Sequence, residues 1–357
     1  MRLEDLGYND KLERFRMENN LESYVTGRVI SEHKERYIVR TIERTFEAEI
    51  TGNMRFTAKS REDFPAVGDW VAMQTYESDL AIIHAIFPRY SSIKRQAVDQ
   101  ITEIQLIATN IDYAFLVQAV DRDFNINRLE RYLTICNSSK IKPIIVLSKI
   151  DLINEEQLNL YVNSVHARIE NVPIIAISNE TQNGYDAINS FIEKGKTYCL
   201  LGSSGVGKST LLNNLTGKLI MRTDIISKST NKGRHITSHR ELIVLDNGGI
   251  LIDNPGMKEV GIANADTGLE QTFNIIYIFS KDCRFPDCTH TKELGCAVLK
   301  AVKSGEIDSK VYENFLKLQK EMVYFESSIE EKRKKDKDFG KMVKNFKKEV
   351  HSKKHCP

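Results

Sequence analysis

The chain has 357 residues, 41% hydrophobic and 28% charged, with a formal net charge of +2. That balance excludes a mostly disordered chain, a collagen-like repeat and a coiled-coil rod, and it gives no global basic field that would by itself indicate nucleic acid. No apolar run approaches the roughly 18 residues of a membrane-spanning helix, and the start MRLEDLGYNDKLERF lacks the apolar centre of a secretory signal, so a cytoplasmic chain with no membrane association is expected.

At roughly 100–200 residues per domain the length predicts two or three domains. Residues 1–20 are polar and read as a short helix or a loose arm. From Tyr24 to Pro88 five short alternating runs follow (YVTGRVI, RYIVRTI, FEAEITG, DWVAMQTY, LAIIHAIF), separated by turn residues such as Gly52-Asn53. Such spacing fits a small five-stranded barrel of the oligonucleotide/oligosaccharide-binding (OB) type about as well as any other small β domain.

Between Ile111 and Ile262 the pattern changes. Apolar strands at 113–120, 143–148, 173–178 and 197–202 alternate with amphipathic stretches at 125–139 and 155–169, which predicts βαβ units and a parallel sheet. LIVLD (242–246) and GILID (249–253) read as a strand pair. A Cys/His cluster, a helical pattern at 311–327 and a basic tail complete the chain. The expected modules are an arm and barrel at 1–90, an α/β domain at 91–265, and a largely helical metal module with the tail at 266–357.

The most specific motif is Gly202-Ser203-Ser204-Gly205-Val206-Gly207-Lys208-Ser209, followed by Thr210; it satisfies G-x-x-x-x-G-K-[ST] between an apolar strand and a helical stretch. Glycines let backbone N–H groups curl round a phosphate, and the helix N-terminus adds positive potential. Lys208 is expected to reach the β- and γ-phosphate oxygens, and the Ser209 hydroxyl to ligate Mg²⁺.

The base is read from Ser148-Lys149-Ile150-Asp151. A carboxylate can accept from both N–H groups on one edge of guanine, whereas adenine presents an acceptor there. Asp151 suits that role, with Lys149 along the base and the loop at Ser178 closing over it. Downstream, Asp253-Asn254-Pro255-Gly256 ends an apolar run: Asp253 can hold Mg²⁺ through water, and the Gly256 N–H can meet the γ-phosphate. Thr237 lies in the loop between and can ligate Mg²⁺ when GTP is bound. A Ras-like domain would place the phosphate loop, the threonine loop and D-x-x-G before N-K-x-D and S-A. Here the last two come first, which a rotated connection of the same strands would produce.

With these motifs in place the sequence resembles the circularly permuted GTPases that mature the small ribosomal subunit, the RsgA (YjeQ) type. The resemblance spans nearly the whole chain and rests on GDWVAM, INRLERYL, GSSGVGKSTLLN, KGRHITSHREL, DNPGM and CRFPDCTHTKELGCAV. It implies a circularly permuted phosphate-loop GTPase core flanked by an OB-type barrel and a zinc module, GTP/GDP and Mg²⁺ as ligands, and a monomer bound to the small subunit and its rRNA. Several positions depart from the family pattern. Ser148 replaces the Asn of N-K-x-D, Ser178-Asn179 replaces S-A, and Thr237 is flanked by Ile236 and Ser238. Met257 stands directly after D-x-x-G, where Ras-type enzymes carry a water-orienting Gln, so slow intrinsic hydrolysis is expected, rising when a partner orders the loops. His235 is a candidate to position that water, and a local or RNA contact explains it equally well.

Cys283-x4-Cys288-x-His290-x5-Cys296 supplies three thiolates and an imidazole, suited to a closed tetrahedral Zn²⁺ site without a catalytic opening. From Glu331 to Pro357 the tail carries eleven Lys/Arg against four Asp/Glu, with Phe339 and Phe346 interspersed. Basic runs gain RNA affinity by counterion release, though this run alone reads more readily as a solvated charged helix. Two other functions compete: an ATP-using phosphoryl-transfer protein, and an RNA-binding module with a vestigial nucleotide switch.

Overall fold

The computed structural model describes residues 2–33, 35–76, 79–96, 104–121, 123–217, 241–253 and 265–324. Strands β1 (Val25–His33), β2 (Arg36–Arg40), β3 (Thr45–Ile50), β4 (Trp70–Thr75) and β5 (Leu80–Ile86) pair in the order β1-β2-β3-β5-β4, and β4 returns antiparallel to β1, closing a barrel. The β3–β5 contact is its one parallel pairing. This is the five-stranded OB-type arrangement. The period of two explains the packing: Phe46, Ala48 and Ile50 of β3 point inward, while Glu47 and Glu49 face solvent.

The first residues form no loose arm. A 3-10 turn at Leu3–Leu6 and helix α1 (Asp10–Glu18) lay Leu6, Tyr8 and Leu12 against Trp70 and Phe87, with Tyr8 edge-on to Trp70 at 4.9 Å. Arg28 is wholly buried. It donates to the carbonyls of Leu6 at 2.6 Å, Gly68 at 3.1 Å and Asn110 at 3.0 Å, tying the arm, the barrel and the exit segment together. Gly52-Asn53, expected as a turn, instead starts helix α2 (Gly52–Thr57), because the Thr51 hydroxyl caps it by accepting from Met54 N at 3.2 Å. Strands β6 (Ser92–Gln96) and β7 (Ile104–Thr109) form an antiparallel ribbon that the sequence pattern did not announce.

The α/β core holds β8 (Tyr113–Ala119), β9 (Lys142–Ser148), β10 (Ile174–Ala176), β11 (Thr197–Leu201), β12 (Glu241–Val244) and β13 (Ile250–Asp253), in the order β10-β9-β8-β11-β13-β12. All are parallel to their neighbours except β12, which pairs antiparallel with β13. Helices α3 (Ile126–Ser138) and α4 (Glu155–His166) contribute Leu129, Leu133 and Val165 to one face, and α5 (Tyr185–Ser190) and α6 (Lys208–Thr216) contribute Ile188, Leu211 and Leu212 to the other. Among the described residues one bridge, Ser31 to Glu241, joins barrel and core sheet.

Beyond them lie α7 (Asp266–Thr272), α8 (Asn274–Ser280), α9 (Ala297–Ser304) and a helix over residues 309–324. Leu269, Phe273, Val298 and Phe315 join the same buried cluster as α3, so the C-terminal module shares a core with the α/β domain. Among the described residues no helix is long and apolar enough to cross a membrane.

Candidate guanine-nucleotide site and metal centre

Strand order reverses between the parallel neighbours β8 and β11: β9 and β10 lie on one side, β13 and β12 on the other. In open α/β sheets the crevice outside the carboxyl ends of such neighbouring strands is the ligand position. The 202–209 loop leaves β11 there. Gly202 has φ +157°, and a Cβ on it would collide with the Val117 carbonyl of β8. Gly207 has φ +92° and precedes α6, which has no side-chain cap, so the first N–H groups of that helix face the loop. Ser209 and Thr210 occupy its first turn. Lys208 Nζ donates to the carbonyls of Gly202 at 2.8 Å and Ser203 at 2.6 Å, which holds its ammonium over the loop. At the end of β13, burial pushes the Asp253 carboxyl up to about 6, with the Lys208 ammonium pulling the other way.

The base-side loops converge on the same spot. Ser148 at the end of β9 is fully buried and donates from Oγ to the Val206 carbonyl at 2.7 Å. Lys149 has φ +64°, and its ammonium pairs with Asp121 at 2.8 Å. Ile150 and Asp151 lie in the 3-10 turn Ile150–Leu152; the exposed Asp151 accepts from Ser178 Oγ at 2.6 Å. A carboxylate offers about four lone-pair positions, so this bond leaves room for a base edge. Asn179, next to Ser178, donates from Nδ2 to the Gly207 carbonyl at 3.0 Å.

Cys283, Cys288, His290 and Cys296 bring their ligand atoms within 4.8 Å of one another. Cys283 Sγ lies 3.8 Å from Cys296 Sγ, and His290 Nδ1 lies 3.6 Å from Cys283 Sγ and 3.5 Å from Cys296 Sγ. A tetrahedral ion with Zn–S of about 2.3 Å and Zn–N of about 2.0 Å spaces sulfur from sulfur by about 3.8 Å and sulfur from nitrogen by about 3.5 Å. The cluster is therefore compatible with zinc. Leu299 N at the start of α9 points at Cys296 Sγ at 3.4 Å, and Tyr312 OH donates to the His290 carbonyl at 2.7 Å.

The RsgA GTPase family model matches residues 86–263, and a small ribosomal subunit biogenesis GTPase RsgA 1 from Bacteroides thetaiotaomicron is 39% identical over 345 residues, 96% of each chain. The chain belongs to the RsgA family. A further relative, RsgA 2 of Lactiplantibacillus plantarum, is 43% identical over 300 residues, 84% of each chain. Among solved structures, YjeQ from Thermotoga maritima is similar with a TM-score of 0.63 at 25% identity, covering 84% of this chain and 98% of that one. YloQ, described as a circularly permuted GTPase, follows with 0.59 at 25% identity, covering 87% and 96%. A model described as a 50S ribosome-binding GTPase also matches residues 197–344. As an RsgA protein the chain is a GTP-hydrolysing enzyme of small ribosomal subunit biogenesis with a circularly permuted core, and the family implies guanine nucleotide and Mg²⁺ as its ligands.

The geometry thus brings the loops at 148–151, 178 and 202–210 and the end of β13 to one end of the sheet. His235, Thr237, Gly256 and Met257, and the basic tail with Phe339 and Phe346, lie outside the described residues. Sequence reasoning left out of the site two groups that touch the phosphate loop. Arg128 of α3 reaches Ser203, and INRLERYL carried no signal that it would. Asn179 reaches Gly207, and its departure from S-A was the available signal.

Proposed function

We propose that this chain binds GTP in the crevice between β8 and β11 and hydrolyses it slowly on its own and faster on the immature small ribosomal subunit. The gathering of three base- and phosphate-directed loops around Val206 and Gly207 supports this reading most directly. Lys149, Ile150, Asp151 and Ser178 would hold the guanine. Residues 202–210 would cradle the phosphates, with Lys208 on the β- and γ-oxygens. Ser209, Thr237 and, through water, Asp253 would hold Mg²⁺, the Gly256 N–H would meet the γ-phosphate, and His235 would position water. The Cys283/Cys288/His290/Cys296 cluster would hold one structural Zn²⁺, whose binding energy folds its turn-rich loop.

In this reading the molecule is a cytoplasmic monomer with module boundaries near residues 90 and 265. The barrel and the zinc module with its tail grip rRNA, and the α/β domain reports nucleotide state to them. GTP turnover measured with purified small and large subunits separately tests the proposal. Stimulation by small subunits is expected; none, or stimulation by large subunits alone, overturns it. An ATP-using enzyme is separated by Asp151→Asn, which should weaken GTP binding and spare ATP.

A further inference from the structure

Resting on the guanine reading above, we propose that Asn179 supplies the carboxamide that position 148 lacks, so that Ser148 and Asn179 act as one tether divided between two loops and Asn179 sets guanine-nucleotide affinity. Two of the departures from the family pattern meet at the phosphate loop, and each fastens one of two consecutive carbonyls. Ser148 Oγ donates to Val206 O at 2.7 Å, and Asn179 Nδ2 donates to Gly207 O at 3.0 Å.

Donor counting explains why the two changes belong together. An asparagine at 148 would carry two N–H groups and could serve the loop and the base at once. A serine has one O–H, and here it goes to Val206. Nδ2 of Asn179 brings two N–H groups back to the same place, and one of them goes to Gly207. The second is the donor that guanine, with acceptors at O6 and N7, would take.

Asn179 is held for this role. Its Oδ1 accepts from Tyr185 OH at 2.8 Å. Asn214 Nδ2 donates both to that Tyr185 oxygen at 2.9 Å and to the Asn179 carbonyl at 3.0 Å. With the hydroxyl on Oδ1, the amide can turn only its nitrogen to Gly207. A Cβ at Gly207 would collide with that nitrogen, so the loop and the Asn179 side chain are fitted to each other.

The test is a titration of the full-length protein with fluorescent mant-GDP, and with mant-ADP for base selectivity. Wild type is compared with Asn179→Ala, Asn179→Asp, Ser148→Asn and the double variant Ser148→Asn/Asn179→Ala. Losing a half-buried donor at this site should weaken mant-GDP binding about tenfold in Asn179→Ala, and more in Asn179→Asp, which turns a carboxylate on the Gly207 carbonyl. The double variant, which restores the usual family pair, should return to within about threefold of wild type. Thermal melting of each nucleotide-free protein confirms that it is folded, and Asn179→Asp, close to the native residue in shape, decides the matter should Ser148→Asn not fold. Wild-type affinity in both Asn179 variants, or a double variant as weak as Asn179→Ala, overturns the proposal alone. A wild type that does not prefer mant-GDP to mant-ADP overturns the guanine reading and this proposal with it.

Discussion

Arg128 on α3 donates from Nη1 to Ser203 Oγ in the phosphate loop at 2.9 Å. Along the same helix the contacts switch to the C-terminal module. Arg131 forms two bonds of 2.6 Å each to the Glu321 carboxylate, and Asn314 donates to the Glu130 carboxylate and to the Asn127 carbonyl. Further on, Gly268 of α7 sits so close to the Thr134 carbonyl that no side chain would fit, and Asn137 donates to Thr272 Oγ1 at 3.0 Å. A helix held by the phosphate loop at its start and by the C-terminal helices along its length can carry displacement between them, because packed elements move as units.

The Arg131–Glu321 pair tests that link. Both side chains are about a quarter exposed, so the pair itself contributes about 1 kcal/mol or less to stability. Arg131→Ala is expected to leave basal GTP turnover within about twofold of wild type while stimulation by small subunits drops several-fold. Turnover assays with and without subunits read both quantities. Undiminished stimulation would show that α3 does not transmit.

Lys208→Ala should lower GTP turnover by about 10²-fold or more, the usual cost of removing one charge-stabilising donor from such a site. The structure holds this ammonium over the loop, where its charge opposes the effect of burial on Asp253, so its loss should also raise the Asp253 carboxyl further. Single-turnover measurement with bound GTP distinguishes this from loss of affinity: slow chemistry at saturating nucleotide is the expected result.

Metal removal should act on structure before activity. The zinc-compatible cluster anchors the helix over 309–324 through the Tyr312–His290 bond, and that helix contributes Phe315 and Leu318 to the core shared with α3. Metal analysis is expected to find one zinc per chain. Cys288→Ser, or treatment with a strong chelator, should lower the melting temperature and abolish stimulation by small subunits while mant-GDP affinity stays within about threefold of wild type. A metal-free protein that melts like the native one would contradict this.

Much of this architecture can be read from the sequence because its signals are local. The barrel strands follow from alternation such as Phe46-Glu47-Ala48-Glu49-Ile50. The phosphate loop follows from its glycines, and the metal cluster from ligand spacing inside fourteen residues. What stays hidden depends on distant partners. Arg28 is an ordinary strand cation until the carbonyls of Leu6, Gly68 and Asn110 surround it. The β6–β7 ribbon lacks regular alternation, with Leu106, Ile107 and Ala108 buried in succession, and α2 depends on a cap from Thr51. At the site, the sequence shows only that Ser148 stands where the family pattern has Asn. Only the folded positions of β9, β10 and β11 reveal that its hydroxyl holds the phosphate loop.

Glu130 gives the protein a pH signature of its own. Its carboxylate is almost fully buried, paired with Arg168 at 2.7 Å and bonded to Asn314. Burial raises this carboxyl above its ordinary value of 4.5, with the Arg168 guanidinium opposing the rise. A raised value means that the folded chain holds this proton more tightly than the unfolded chain. The stabilisation it brings is therefore fully present below pH 4.5 and is lost as pH rises through the folded value. Glu130→Gln keeps the shape of the side chain and removes the titration. The unfolding free energy of wild type minus that of Glu130→Gln, followed by denaturant titration from pH 4.5 upward, should fall as pH rises. A difference that grows with pH would mean that the guanidinium outweighs burial at this position.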